Sequence, residues 1–89
     1  MSASALPPDV SPALAALWQD AHGDWARAHA LSQEDEGAAG SWVHGYLHRK
    51  EGDLANARYW YARAGRTPPA KSVTLEAERE AIARALLNT

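Results

Sequence analysis

The sequence predicts an all-α protein, built as two antiparallel helical hairpins followed by a C-terminal capping helix. Apolar residues recur at helical spacing, and no segment alternates with the two-residue period of a strand. A Gly-Asp pair also occurs twice, 29 residues apart, which indicates a repeated hairpin. Eighty-nine residues allow one domain. We therefore predict a disordered tail over residues 1–10 and a single helical-repeat domain over residues 11–89.

The first hairpin is predicted from its capping residues and its apolar face. Ser11 can cap a helix whose first position is Pro12. One face of this helix carries Leu14, Leu17, Trp18 and Ala21. Gly23 can close the helix in a left-handed conformation, and Asp24 can cap the next one, predicted over residues 24–34.

The second hairpin is predicted to follow a loop over residues 35–40. Its helices cover residues 41–51 and 53–64, joined by Gly52 and Asp53 in the same way as the first pair. Pro68 and Pro69 then break the helical pattern. The last helix, predicted over residues 72–87, carries an apolar stripe that we expect to cover the fourth helix: Leu75, Ile82 and Leu86.

The second hairpin resembles a tetratricopeptide repeat over residues 38–69. The match consists of small residues, the Gly-Asp turn, a packing aromatic and a terminal proline: Gly45, Gly52, Asp53, Ala57, Tyr61, Ala64 and Pro69. The first hairpin keeps Gly23, Asp24 and Ala28 but has Ser32 in place of the aromatic residue. The resemblance implies a fragment of an α-α superhelix, and the run from His48 to Trp60 is also similar to a motif of small uncharacterised bacterial proteins.

The tetratricopeptide resemblance implies a non-catalytic protein–protein interaction module. Relatives of this kind bind peptides on the concave side, and by position Trp42, Arg49 and Lys50 would line that side here. Cofactors are not expected. The sequence has no cysteine, no recognisable secretory signal and no run of about 18 apolar residues. We therefore expect the protein in the cytoplasm.

A metal-binding protein or metal-dependent enzyme is the alternative. His44, His48 and Glu51 project from one side of the third helix, a plausible two-histidine, one-carboxylate ligand set. His29 or an acidic residue of the second helix could add a ligand. The competing interpretation is structural, because in the repeat pattern His44 and His48 take positions normally filled by packing residues. We then expect both imidazoles to be buried.

No motif for nucleophilic catalysis is present, so the sequence favours a protein that is not an enzyme. The chain has no cysteine. Ser32, Ser41 and Ser72 lie in no nucleophile-elbow context, and the glycines of residues 37–40 do not form a phosphate loop.

Aromatic and basic residues of the third and fourth helices form the predicted partner-binding belt. Its members are Trp42, Arg49, Lys50, Tyr59, Trp60 and Arg63. Such a mixture is typical of interface hot spots. It could also stack single-stranded nucleic acid, which we do not expect here, or simply fill a core in a chain that has no phenylalanine.

Residues 1–40 carry a net charge of −5 and residues 41–71 one of +4. These opposite charges predict a homodimer or a cognate protein partner.

Overall fold

The computed structural model describes residues 10–87, within which the chain forms five α-helices and no strand. The helices are α1 (Pro12–Ala21), α2 (Trp25–Glu34), α3 (Ala38–Glu51), α4 (Leu54–Ala64) and α5 (Leu75–Leu87). The all-α prediction is confirmed. The predicted disordered tail lies outside the described residues except for Val10.

The two hairpin turns share one geometry. Gly23 and Gly52 have φ of 86° and 92°, the left-handed conformation expected at the end of a helix. The side chain of Asp24 accepts a hydrogen bond from the amide of Arg27 at 3.0 Å. Asp53 caps α4 in the same way, accepting from the backbone amide three residues later at 3.2 Å. Both predicted turns are therefore confirmed.

Two predicted helix starts are wrong by three residues. Helix α3 begins at Ala38 instead of residue 41. The glycine at position 40, interpreted as a loop residue, is a close-packing residue inside this helix, because an added Cβ would lie 1.9 Å from the carbonyl oxygen of Asp35. Helix α5 begins at Leu75 instead of residue 72, since the Thr74 hydroxyl accepts a hydrogen bond from the amide of Ala77 at 3.0 Å and caps the helix there.

Helix α3 is the central element of the fold. It packs against each of the other four helices, and eight of its residues are buried. The core cluster consists of Ala13, Ala16, Leu17, Ala28, Val43, Tyr46, Leu47 and Ile82. The prediction that α5 covers α4 is wrong: α5 packs against α1 and α3, and Ile82 is fully buried there. Its link to α4 is a side-chain hydrogen bond from Tyr61 to Glu78.

Candidate functional site

The packing of α2 against α3 brings three histidines together. His44 and His48 lie one turn apart on α3, and His29 faces them from α2. The centroid of the His29 ring is 4.6 Å from that of His44 and 5.2 Å from that of His48, and the last two are 4.8 Å apart. Each ring offers a nitrogen atom that lies within 4.8 Å of the others. We call these three residues the histidine cluster.

The histidine cluster lies largely inside the protein. His44 and His48 are 4% and 7% exposed, which confirms the prediction that both are buried. Burial lowers the pKa of His44 to about 4, assisted by the neighbouring His29 and His48. Burial and His48 also lower the pKa of His29, with Glu51 opposing them. His44 and His29 are therefore neutral at neutral pH, and each keeps a nitrogen lone pair.

Two tryptophans stack on two rings of the histidine cluster. The Trp60 ring of α4 stacks on His44 with centroids 3.9 Å apart and planes 9° from parallel. The Trp25 ring stacks on His29 at 4.9 Å, and its indole Nε1 donates a hydrogen bond to the carbonyl of Leu47 at 3.0 Å. Sequence reasoning did not assign these roles. The available signal was the spacing of four residues between Trp25 and His29, which puts both on one face of α2.

Glu51 was predicted to bind a metal together with His44 and His48, but it lies close to His48 only. Its Oε1 lies 2.8 Å from Nδ1 of His48. Among the described residues, the possible ligand sets join His48 and Glu51 to Asp53, or His48 to His29 and His44, but none joins Glu51 to His44. Glu51 therefore contacts the His48 ring through Nδ1 and fixes its orientation.

A cleft of about 400 Å³ opens beside the histidine cluster. Its lining includes His44, Trp60 and Arg63, together with Asp35 and Glu36 of the α2–α3 connection. His44 is the member of the histidine cluster that lines this cleft, so it connects the buried rings to the surface.

Three of the six predicted partner-binding residues form one group on α4, in which two residues are exposed and Trp60 is half-buried. We call this group the α4 patch: Tyr59, Trp60 and Arg63. Tyr59 is 54% exposed. Arg63 donates a hydrogen bond from Nη1 to the Tyr59 hydroxyl at 3.1 Å. Its guanidinium carbon lies 5.3 Å from the ring centroid of Trp60, a cation–π contact.

The other three predicted partner-binding residues are engaged within the molecule. Arg49 forms an ion pair with buried Glu78 at 2.9 Å, and its guanidinium also donates to the carbonyl of Val73. Lys50 forms an ion pair with buried Asp20 at 2.8 Å. Trp42 is half-buried against the core and lies beneath the guanidinium of Arg66, whose central carbon is 3.7 Å from the ring centroid.

The chain matches no known protein family, no curated protein and no solved structure. Within the described part of the chain, every helix is too short or too polar to cross a bilayer. Its function must therefore be inferred from the α4 patch and the histidine cluster.

Proposed function

We propose that this protein is a non-catalytic interaction module of the tetratricopeptide-like kind, acting in the cytoplasm, and that it binds an acidic protein surface through the α4 patch. The observation that carries this proposal is the exposed Tyr59 ring held against Arg63 beside Trp60. Aromatic and arginine side chains that are already ordered lose little side-chain entropy on binding, which is why they dominate interface energetics.

The charge around the α4 patch favours an acidic partner. Residues 54–71 contain four basic residues and no acidic one: Arg58, Arg63, Arg66 and Lys71. Across residues 10–87, the ion pairs within 4.0 Å involve none of these four. Their positive charge is therefore available to attract carboxylates of another molecule.

A second copy of this chain can supply those carboxylates. Glu34 and Glu36 are exposed, and Glu36 lines the same cleft as Arg63. A two-fold interface requires one surface to carry both complementary halves. The cleft carries both a basic and an acidic residue, and in the two-fold pair that we propose Arg63 of each copy faces Glu36 of the other. We therefore propose a homodimer formed across the cleft.

Reciprocal charge reversal tests this homodimer. We expect the wild-type chain to sediment as a dimer at micromolar concentration, and Arg63→Glu and Glu36→Arg each to sediment as monomers. Mixing the two variants should restore dimers, because each crossed pair then joins opposite charges. Trp60→Ala should also weaken association by removing an aromatic anchor of the interface.

Arg58→Glu is the matched control, because it makes the same charge change on the same helix outside the cleft lining. It should weaken the dimer much less than Arg63→Glu does, because Arg58 contributes only longer-range attraction. A monomeric wild-type chain, or an equal loss of association in Arg58→Glu, would contradict a homodimer across this cleft.

A further inference from the structure

The spacing of the histidine cluster is that of a three-imidazole metal site. A tetrahedral ion about 2.0–2.1 Å from each imidazole nitrogen places the ring centroids about 5 Å from one another. The three centroid separations are 4.6, 4.8 and 5.2 Å. The backbone of α2 and α3 therefore already holds the three ring centroids at the separation that a shared ion requires.

We infer that His29, His44 and His48 bind one divalent transition-metal ion of the Zn²⁺ class. The donor set consists of nitrogen atoms, which suit zinc, copper and nickel, whereas calcium and magnesium prefer oxygen. The metal site is argued without the α4 patch or a dimer, but it adjoins both, because Trp60 of the α4 patch stacks on His44 and His44 lines the cleft.

Ring rotations are needed to complete the site. The nitrogens lie within 4.8 Å of one another and must approach to about 3.3 Å for tetrahedral binding. The His44 and His48 planes are 24° from parallel, so one of the two rings must turn about its Cβ–Cγ bond to converge on the ion. His29 is half-buried, and turning its ring would change its stacking on Trp25.

A second, independent feature supports the metal site. The Glu51 carboxylate lies 2.8 Å from Nδ1 of His48, so this nitrogen is the donor and Nε2 keeps its lone pair for the ion. Metal-binding histidines commonly donate their other ring N–H to a carboxylate, which fixes the tautomer and raises the basicity of the ligand. Glu51 is thus a positioning residue for His48.

The cleft determines what completes the coordination sphere. Three protein nitrogens leave one position of a tetrahedral ion open. Because His44 lines the cleft of about 400 Å³, water or a small anionic ligand can reach the ion from that side. This is the arrangement of a site that exchanges its fourth ligand, in contrast to a closed structural site with four protein ligands.

Metal titration of tag-free protein tests the proposal, with Zn²⁺ followed by calorimetry and Co²⁺ by its visible absorption. We expect one ion per chain and a Co²⁺ spectrum of tetrahedral nitrogen coordination. His29→Ala should abolish stoichiometric binding. Glu51→Gln should weaken it by about 10–100-fold while preserving the stoichiometry, because the carboxylate acts through His48.

His22→Ala is the matched control, since His22 is the remaining one of the four histidines and lies at the end of α1, hydrogen-bonded to the carbonyl of Trp18. It should bind like the wild type. Each variant is first shown to be helical by circular dichroism. Failure of the folded wild type to bind either ion, unchanged binding in folded His29→Ala, or equal losses in His22→Ala and His29→Ala would each overturn the site.

Discussion

Two buried carboxylates link the helices through individual side chains. Asp20 of α1 accepts hydrogen bonds from the Tyr46 hydroxyl at 2.5 Å and from the Lys50 ammonium at 2.8 Å. Glu78 of α5 is held in the same way, by a tyrosine of α4 and an arginine of α3. Each carboxylate is buried with its charge compensated, so α3 is tied to α1 on one side and to α5 on the other.

Replacing the Asp20 charge should destabilise the fold. In Asp20→Asn, an amide faces both the Tyr46 hydroxyl and the Lys50 ammonium, and the charge-assisted hydrogen bonds are lost. We expect the free energy of unfolding to fall by about 2–3 kcal/mol, measured by urea denaturation.

The same substitution at an exposed helix cap provides the comparison. Asp24→Asn should change the free energy of unfolding little, because asparagine caps a helix as well as aspartate. Equal effects at the two positions would show that the buried charge of Asp20 contributes nothing to stability.

The buried tyrosines make the folded state less stable at alkaline pH. Burial raises the pKa of Tyr46 and of Tyr61 well above the ordinary value, and hydrogen bonds to Asp20 and Glu78 raise it further. The folded state therefore favours the protonated phenols. Their contribution to stability is complete below the unfolded pKa of about 10 and is lost as the pH rises above it.

Phenolate absorbance can follow this loss directly. Tyr59→Phe removes the third tyrosine of the chain, so the remaining signal comes from Tyr46 and Tyr61. In this variant, phenolate absorbance and loss of helical circular dichroism should rise together above about pH 10. Ionisation of both phenols in a still-helical protein would contradict the predicted coupling.

At the scale of the secondary-structure elements, the turn between α3 and α4 requires a residue with left-handed backbone conformation. Gly52 has φ of 92°, and an added Cβ there would meet no atom within 4 Å, so backbone strain alone determines the effect of a side chain. Gly52→Ala should lower the free energy of unfolding by about 1 kcal/mol, measured by thermal or urea denaturation.

Gly37 is the matched position for this prediction, because it caps α3 with φ of −86°, which any residue can adopt. Gly37→Ala should be less destabilising than Gly52→Ala, since the added Cβ makes ordinary contact at 3.5 Å. A Gly52→Ala variant as stable as the wild type would argue against the left-handed turn.

At the scale of the whole molecule, α5 is part of the single core, because Ile82 lies with residues of α1 and α3. Ile82→Ala should lower the free energy of unfolding by about 2–5 kcal/mol. It should still unfold in one transition by circular dichroism and tryptophan fluorescence. Leu87, on the same helix, is 68% exposed, so Leu87→Ala should have little effect. Separate transitions for α5 and the rest would contradict a single core.

Sequence reasoning predicted the features that depend on neighbouring residues along the chain. The turns at Gly23 and Gly52 follow from local backbone conformation and capping, and the structure confirms both. The apolar position of Ile82 was also predicted from periodicity. The starts of α3 and α5 were missed although both depend on nearby residues. Gly40 was interpreted as a loop residue but packs against the Asp35 carbonyl, and Ser72 and Thr74 are both possible caps of α5, of which Thr74 is used.

By itself, therefore, the sequence determined that the chain is all-helical, where its hairpins turn and that His44 and His48 are buried. The tertiary structure decided which side chains meet. Arg49 and Lys50 were predicted to bind a partner, but α5 and α1 bring buried Glu78 and Asp20 within ion-pair distance of them. The third member of the histidine cluster was likewise decided by the packing of α2 on α3. Helical periodicity fixes the direction of a side chain from its own helix, whereas its partner depends on which helix packs opposite.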